Sequence, residues 1–215
     1  KFRNCFRSFF PYNTDASIEL VDALSSNTGA DSVVQLSENV CYTRHYTSLT
    51  YAISSFYKPK DKEPKDYEVE LAEAKKQIQN ILCQHIELDI ERHYHLFAID
   101  VTPNPRPFAK KVDDRGYIKH NEVVSSGKPV TIGHNYSCVL YLTGQSTWAL
   151  PLSIDRVSTS VKDTVFGVTQ WCEIIKDKNN QFRDKKCVGV FDAAYSSAYC
   201  IAAQLSPSKS FHLFL

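Results

Sequence analysis

The sequence predicts an α/β protein: a mixed sheet built in the order β-β-β-α-β-α-β, preceded by a helical region. Three observations carry this. Apolar residues in the first ninety or so positions recur at helical spacing. From His93 onward the chain turns to β-branched and aromatic runs bounded by Pro, Gly and Asp. Beyond residue 160, a helical period alternates with short, wholly apolar runs, the pattern of parallel strands covered on both faces.

Taken in order, Asp15 to Leu24 places Ile18, Val21 and Leu24 on one helical face, with Asp15 as its cap. Asp31 to Leu36 and Thr47 to Phe56 read as two short helices around the turn-rich Ser37-Glu38-Asn39. Lys58 to Asp66 is a charged, proline-broken linker. From Tyr67 to Glu91, Leu71, Ala74, Ile78, Ile81, Leu82, Ile86 and Ile90 keep a period near 3.6, which predicts the longest helix.

Tyr94 to Val101 is the first strand, ended by Pro103, Pro105 and Pro107. Asp113 to Gly116 marks a turn between extended pieces. Val130 to Leu142 and Trp148 to Val157 complete an antiparallel meander around Thr143 to Ser146. A helix over Val161 to Lys176, a strand over Cys187 to Phe191, a short helix over Ser196 to Leu205 and a strand from Phe211 to Leu215 follow. The division expected is a helical region over 1–92 and a sheet domain over 93–215. The element order of the latter is that of the ribonuclease-H-like fold without its final helix.

Composition excludes more than it selects. Lys and Arg number 25 against 24 Asp and Glu, so net charge lends no independent support to nucleic-acid binding. No stretch approaches 18 apolar residues, which excludes a spanning helix and a membrane partner of that kind. The opening residues lack the apolar run of a secretory signal. The seven cysteines are scattered without a CxxC pair, so a zinc ribbon has no support and a reducing, intracellular setting is expected. The chain contains no Met and stops within the apolar run Phe211 to Leu215, which leads us to expect a fragment of a longer protein.

Two aspartates stand out. Asp100 follows Phe97-Ala98-Ile99, and Asp192 follows Val188-Gly189-Val190-Phe191. Each is a carboxylate at the C-terminal end of an apolar strand, where open α/β sheets bind ligands. A buried Asp is costly unless it is paired, hydrogen-bonded or metal-bound. If the first and fourth strands lie side by side and parallel, the two ends adjoin. A divalent cation, Mg²⁺ or Mn²⁺ by the hardness of the oxygen donors, then offsets their repulsion. The competing account is that each Asp caps its strand or the helix that follows.

The segments LFAIDVTPNPRPFAKK, GKPVTIGHNYSCVLYL, WALPLSIDRV and VGVFDAAYSS resemble the catalytic domain of DDE-type transposases of bacterial insertion sequences, over positions 94 to 215. The resemblance implies a ribonuclease-H-like fold in which two Asp and one Glu bind two divalent ions, Mg²⁺ or Mn²⁺. It assigns Asp100 and Asp192 as the first and second catalytic and metal-binding acids. The third acid would lie on a helix after the last strand, and no residue of this sequence matches it. The parent enzyme would cleave and join transposon-end DNA, with this chain inactive. The implied partners are terminal inverted repeats and target DNA. A homodimer and a cytoplasmic, nucleoid-associated place in a bacterium are compatible with this.

Supporting roles fall on Thr102, which could orient Asp100 or a phosphate, and on His134, for which a structural role is equally open. Arg106, Lys110, Lys111 and Arg115 are candidate DNA contacts, though a solvated loop has the same composition. Pro103 to Pro107 reads as a rigid, extended exit from the strand rather than a polyproline ligand. His93 and His95 read as exposed strand histidines, with paired metal ligation as the alternative. Two other functions compete: a non-enzymatic DNA-binding protein acting through its helical region, and a different metal nuclease completing its site with Asp113, Asp114 or Glu122.

Overall fold

The computed structural model of the chain describes residues 2–10, 12–57, 64–86, 88, 91–119, 129–144, 149–177, 181–196 and 212–214. They form two units, Lys1–Ile81 and Leu82–Leu215.

The first unit contains α1 (Phe2–Phe6), a 3-10 turn (Arg7–Phe9), α2 (Thr14–Ser25), α3 (Val33–Leu36), α4 (Tyr46–Tyr57) and most of α5 (Pro64–Gln84). Ala23, Leu36, Tyr42 and Leu49 form its core, with Leu20, Ala30 and Ile53 packed against them. Leu20 and Ala23 on α2, and Leu49 and Ile53 on α4, are three and four positions apart, so each of these helices turns one apolar stripe to the core. The cap expected at Asp15 is instead Asn13, in a left-handed conformation that Asn tolerates. Asp15 lies in the first turn and pairs with Arg7 at 2.6 Å. The helix α1 and the turn after it have no counterpart in the sequence reading, because five and three residues are too few for a periodic signal.

The helix α5 starts at Pro64, where a proline needs no N–H partner, and stops at Gln84, short of the Glu91 expected. The carbonyls of Cys83 and Ile86 accept hydrogen bonds from the Gln181 amide nitrogen, at 2.6 and 3.0 Å. The chain thus leaves the helix with those carbonyls satisfied, and Ile86 and Leu88 join the core of the second unit.

That unit is a six-stranded sheet: β1 (Tyr94–Pro105), β2 (Gly116–Lys119), β3 (Val130–Leu142), β4 (Ala149–Val157), β5 (Lys186–Phe191) and β6 (His212–Phe214). The spatial order is β2-β3-β1-β5-β6, with β4 also on β3. The register puts β2 and β4 in tandem along one edge of β3, since Gly133 pairs with both Gly116 and Pro105. β1, β3 and β4 are antiparallel, and β1, β5 and β6 are parallel. With α6 (Asp163–Lys176) between β4 and β5, this is the mixed α/β sheet expected, and it is ribonuclease-H-like. Of the helix expected over Ser196 to Leu205, only Ser196 is among the described residues, at the end of a 3-10 turn (Ala193–Ser196).

Alternation along β1 decides which face carries the core. His95, Phe97 and Ile99 are buried, whereas Tyr94 and Asp100 are exposed. Phe97 packs edge-on against Tyr141 and Phe182, with ring centroids 5.5 and 5.1 Å apart. Val168, Trp171, Ile174 and Ile175 of α6 close the same cluster. Burial of each such side chain stabilises the fold by about 1.5–3 kcal/mol.

Contrary to expectation, β1 continues through its prolines. Pro103 and Pro105 pair with Asn135 and Gly133 of β3. The N–H of Arg106 donates to the Ile132 carbonyl at 2.8 Å, so even-numbered amides of this stretch face β3. The nitrogens of Pro103 and Pro105 therefore face the other edge, and pairing with β5 has ended at Ile99. Proline is tolerated there because no ladder donor is lost.

Candidate active site

The end of the β1–β5 pairing is where the two aspartates lie. The last register pair is Ile99 with Phe191, both buried; Asp100 and Asp192 follow immediately, both exposed. Neighbouring strands run about 5 Å apart, so the sheet brings two carboxylates to one rim from positions 92 residues apart in sequence. One premise is corrected: Asp100 is not buried. It belongs to the face of β1 opposite the core, and its presence carries no desolvation penalty.

Each carboxylate is held by a nearby backbone N–H. Val101, whose amide points past the end of β5, donates to Asp100 Oδ1 at 2.8 Å. Ala194 donates to Asp192 Oδ1 at 3.1 Å, and Tyr195 N–H donates to the Asp192 carbonyl at 3.1 Å. Asp192 therefore caps the 3-10 turn (Ala193–Ser196) as the competing account required, while its second oxygen remains for another partner. The charge of Asp100 reaches across the sheet: burial, then this carboxylate, pushes up the thiol of Cys138, its partner on β3.

Two residues that frame this rim were not singled out from the sequence. Tyr195 is buried and anchors the turn that carries Asp192. Its ring reaches the Gly167 position of α6, where an added Cβ would meet the Tyr195 hydroxyl at 2.7 Å and Ile99 Cγ2 at 3.1 Å. A glycine inside an amphipathic helix, together with D-x-x-Y, was the available signal.

The other candidates separate. Thr102 is exposed and lies one side-chain repeat beyond Asp100 on the same face. His134 is buried, and its Nε2 donates to the Asp113 carbonyl at 3.0 Å, tying down the β1–β2 connection. Arg115 does the same from within the loop, donating to the Arg106 carbonyl at 2.9 Å. Arg106, Lys110 and Lys111 are exposed. The Asp114 carboxylate is drawn below its ordinary value chiefly by the hydroxyl and amide of Thr159. Among the described residues no group of three or more His, Cys, Asp or Glu could hold a metal ion, so neither Asp113 nor Asp114 completes one; Glu122 lies outside the described residues.

The reading of His95 as an exposed histidine is corrected. It is 1% exposed, its Nε2 lies 2.8 Å from Asp184 Oδ1 and its Nδ1 3.3 Å from the Tyr141 hydroxyl. Odd-numbered residues of β1 face the core, and two polar partners allow a histidine there. His93 precedes the strand and is exposed.

In the first unit, a cleft of about 660 Å³ is lined by Arg7, Asn13, Asp15, Arg44, Ser48 and Tyr51, among others. Both of its arginines are ion-paired, Arg7 with Asp15 and Arg44 with Glu19. No helix among the described residues is long and apolar enough to cross a membrane.

The chain thus has a ribonuclease-H-like sheet with two acids at adjoining strand ends. The family model of the DDE superfamily endonucleases matches residues 5–209, and the chain belongs to that family. The match supports a DDE-type transposase or nuclease function, with DNA as the family's substrate and divalent metals as its general cofactors. A search of curated proteins finds no match.

Proposed function

We propose that Asp100 and Asp192 are the first two carboxylates of a catalytic set and together bind a divalent cation, Mg²⁺ or Mn²⁺, within a domain spanning 93–215 that engages transposon-end DNA. The observation carrying this reading is the parallel pairing that ends at Ile99 and Phe191 and leaves both acids at one rim. The donor set fits such an ion: exposed carboxylate oxygens, each with its carboxylate already oriented by one backbone N–H. When bound, a divalent ion in such a site would activate the attacking hydroxyl and stabilise the leaving oxygen.

The chain's own part is orientation. Val101 N–H and the turn at Ala194 hold the two carboxylates, while Thr102 is close enough along the strand to steady Asp100 or a phosphate. Arg106, Lys110 and Lys111 supply phosphate contacts from the loop, with Arg115 bracing its backbone. From the pair of acids alone we expect weak ion binding and no strand transfer, because catalytic sets of this kind act as a unit.

The test is Mn²⁺ binding followed by electron paramagnetic resonance, alongside cleavage of terminal-repeat DNA. Weak binding that disappears in both Asp100→Asn and Asp192→Asn is expected, with the DNA left uncut. Binding unchanged in both variants would refute the site; strong cleavage lost in Asp100→Ala would refute the inactivity while supporting the site.

A further inference from the structure

The β1–β3–β2 end of the sheet carries a surface that the paired acids do not use. Arg106, just past the end of β1, forms a lateral row with Ile132 of β3 and Tyr117 of β2: Arg106 N–H bonds the Ile132 carbonyl, and Ile132 pairs with Tyr117. The next row joins Val130 with Lys119. Tyr117 is 85% exposed, and Ile132 and Val130 are each 38% exposed. Ile118, between Tyr117 and Lys119, is buried, so Tyr117 and Lys119 share the outward face. On the loop leading to β2, Phe108 is 90% exposed.

Charge accompanies the aromatics. From Arg106 to Lys119 there are five cations, Arg106, Lys110, Lys111, Arg115 and Lys119, against Asp113 and Asp114. The Asp114 carboxylate is engaged by Thr159. An exposed tyrosine on a sheet face, beside β-branched residues and ringed by Lys and Arg, does not match a duplex groove, where base edges are read. It matches the π-face of an unstacked base, with the cations placed for flanking phosphates. The row also lies on the Asp100 side of the sheet. Asp100 and Arg106 are six positions apart along extended chain, about 20 Å.

We propose that this surface is a stacking platform for an unpaired DNA base: Tyr117 receives the base, while Arg106 and Lys119 contact the phosphates on either side. It rests on the reading of the chain as DNA-acting, and it adds single-stranded character to the DNA engaged. Rigid backbone supports the platform, because Tyr117 is on a paired strand and Arg115 braces the adjoining loop.

Fluorescence anisotropy of the full chain tests this, with labelled 20-nucleotide single strands and blunt duplexes of the same sequence in EDTA. Tyr117→Ala should weaken single-strand binding about tenfold, the scale of one lost base stack, while duplex binding changes less than about twofold. Tyr117→Trp should retain single-strand affinity, and its indole emission should be quenched by the bound strand. Lys119→Ala should weaken both and reduce the salt dependence by about one charge. Equal effects of Tyr117→Ala on both DNAs, or none, would overturn the platform. If Arg106→Ala still weakened binding in that case, the DNA reading would stand without it. Failure of the unaltered chain to bind either DNA would overturn both. Conversion of a dimer to a monomer by Tyr117→Ala, seen by light scattering, would reassign the surface to contact between copies. Circular dichroism checks that each variant folds.

Discussion

Asp100 and Asp192 each follow a buried residue, Ile99 and Phe191, that pair with one another as the last rung between parallel strands β1 and β5. The sheet therefore holds two like charges at one rim, an arrangement that a cation relieves and its absence does not. Their side chains are exposed, so the relief is not driven by burial.

This gives a thermal-shift prediction. Mn²⁺ at tenfold over its dissociation constant should stabilise the unaltered chain by about 1.4 kcal/mol, by mass action alone. Asp100→Asn keeps an oxygen for the Val101 N–H, so it removes charge with little change of shape. In EDTA its melting temperature should equal or exceed that of the unaltered chain, and Mn²⁺ should no longer raise it. An Mn²⁺ shift that persists in Asp100→Asn would place the ion elsewhere.

Gly167 makes a second prediction about the same rim. Alanine in a helix interior is ordinarily favoured over glycine by about 1 kcal/mol. Here its Cβ would meet the Tyr195 hydroxyl at 2.7 Å, Ile99 Cγ2 at 3.1 Å and Ser137 Oγ at 3.2 Å. Overpacking of this kind costs about 1–3 kcal/mol, so Gly167→Ala should be a net loss in urea denaturation. Since the closest clash is with one oxygen, Tyr195→Phe in the Gly167→Ala background should recover part of it. Additive losses in the double variant would show that Ile99 or the helix backbone, not the hydroxyl, sets the limit.

What the sequence disclosed depended on the length and purity of each signal. The sheet and its order were legible because Val130 to Leu142 and Cys187 to Phe191 are long or undiluted apolar runs; the observed strands, Val130–Leu142 and Lys186–Phe191, match them closely. The strand β2, four residues beside a turn, has too little alternation to announce itself. The prolines misled about the end of β1, since sequence alone does not tell which edge of a strand is unpaired. Asp100 and Asp192 were nameable from strand-end context, but their exposure was not: that followed from the alternation of β1 about Phe97 and Ile99. Nor could His95 be placed, because its partner Asp184 is 89 residues away.

Cys83 should be among the slowest thiols to react. It is 1% exposed at the end of α5, and burial pushes its thiol up to about 12. At pH 8.5 a free cysteine is about half thiolate, whereas Cys83 in the folded chain is almost wholly protonated and shielded. Iodoacetamide with mass mapping should label the half-exposed Cys5 and Cys41 well before Cys83. In urea the difference should vanish. The sign of the linkage follows: stability from the raised pKa is complete below about 8.5 and declines as pH rises toward the folded value. Labelling of Cys83 as fast as Cys41 without denaturant would mean that this helix end opens readily.

The buried His95 and its carboxylate give the acid-side counterpart. Asp184 is drawn below the ordinary carboxylate range, chiefly by the hydrogen bond with His95. A carboxyl whose pKa is lowered on folding adds stability above its unfolded value, about 3.9, and loses it as pH falls through the lower folded value. Asp184 is 54% exposed, so water replaces part of the bond when it is removed. Asp184→Ala should therefore cost about 1 kcal/mol, the low end for orphaning a buried polar group. Urea denaturation across pH 7 to 3 should show this gap undiminished down to about pH 4–5 and shrinking below it, as the unaltered chain loses its own carboxylate. A gap that stays constant to pH 3 would assign the effect to packing around Phe182 and Tyr141, which touch the same ring, rather than to the hydrogen bond.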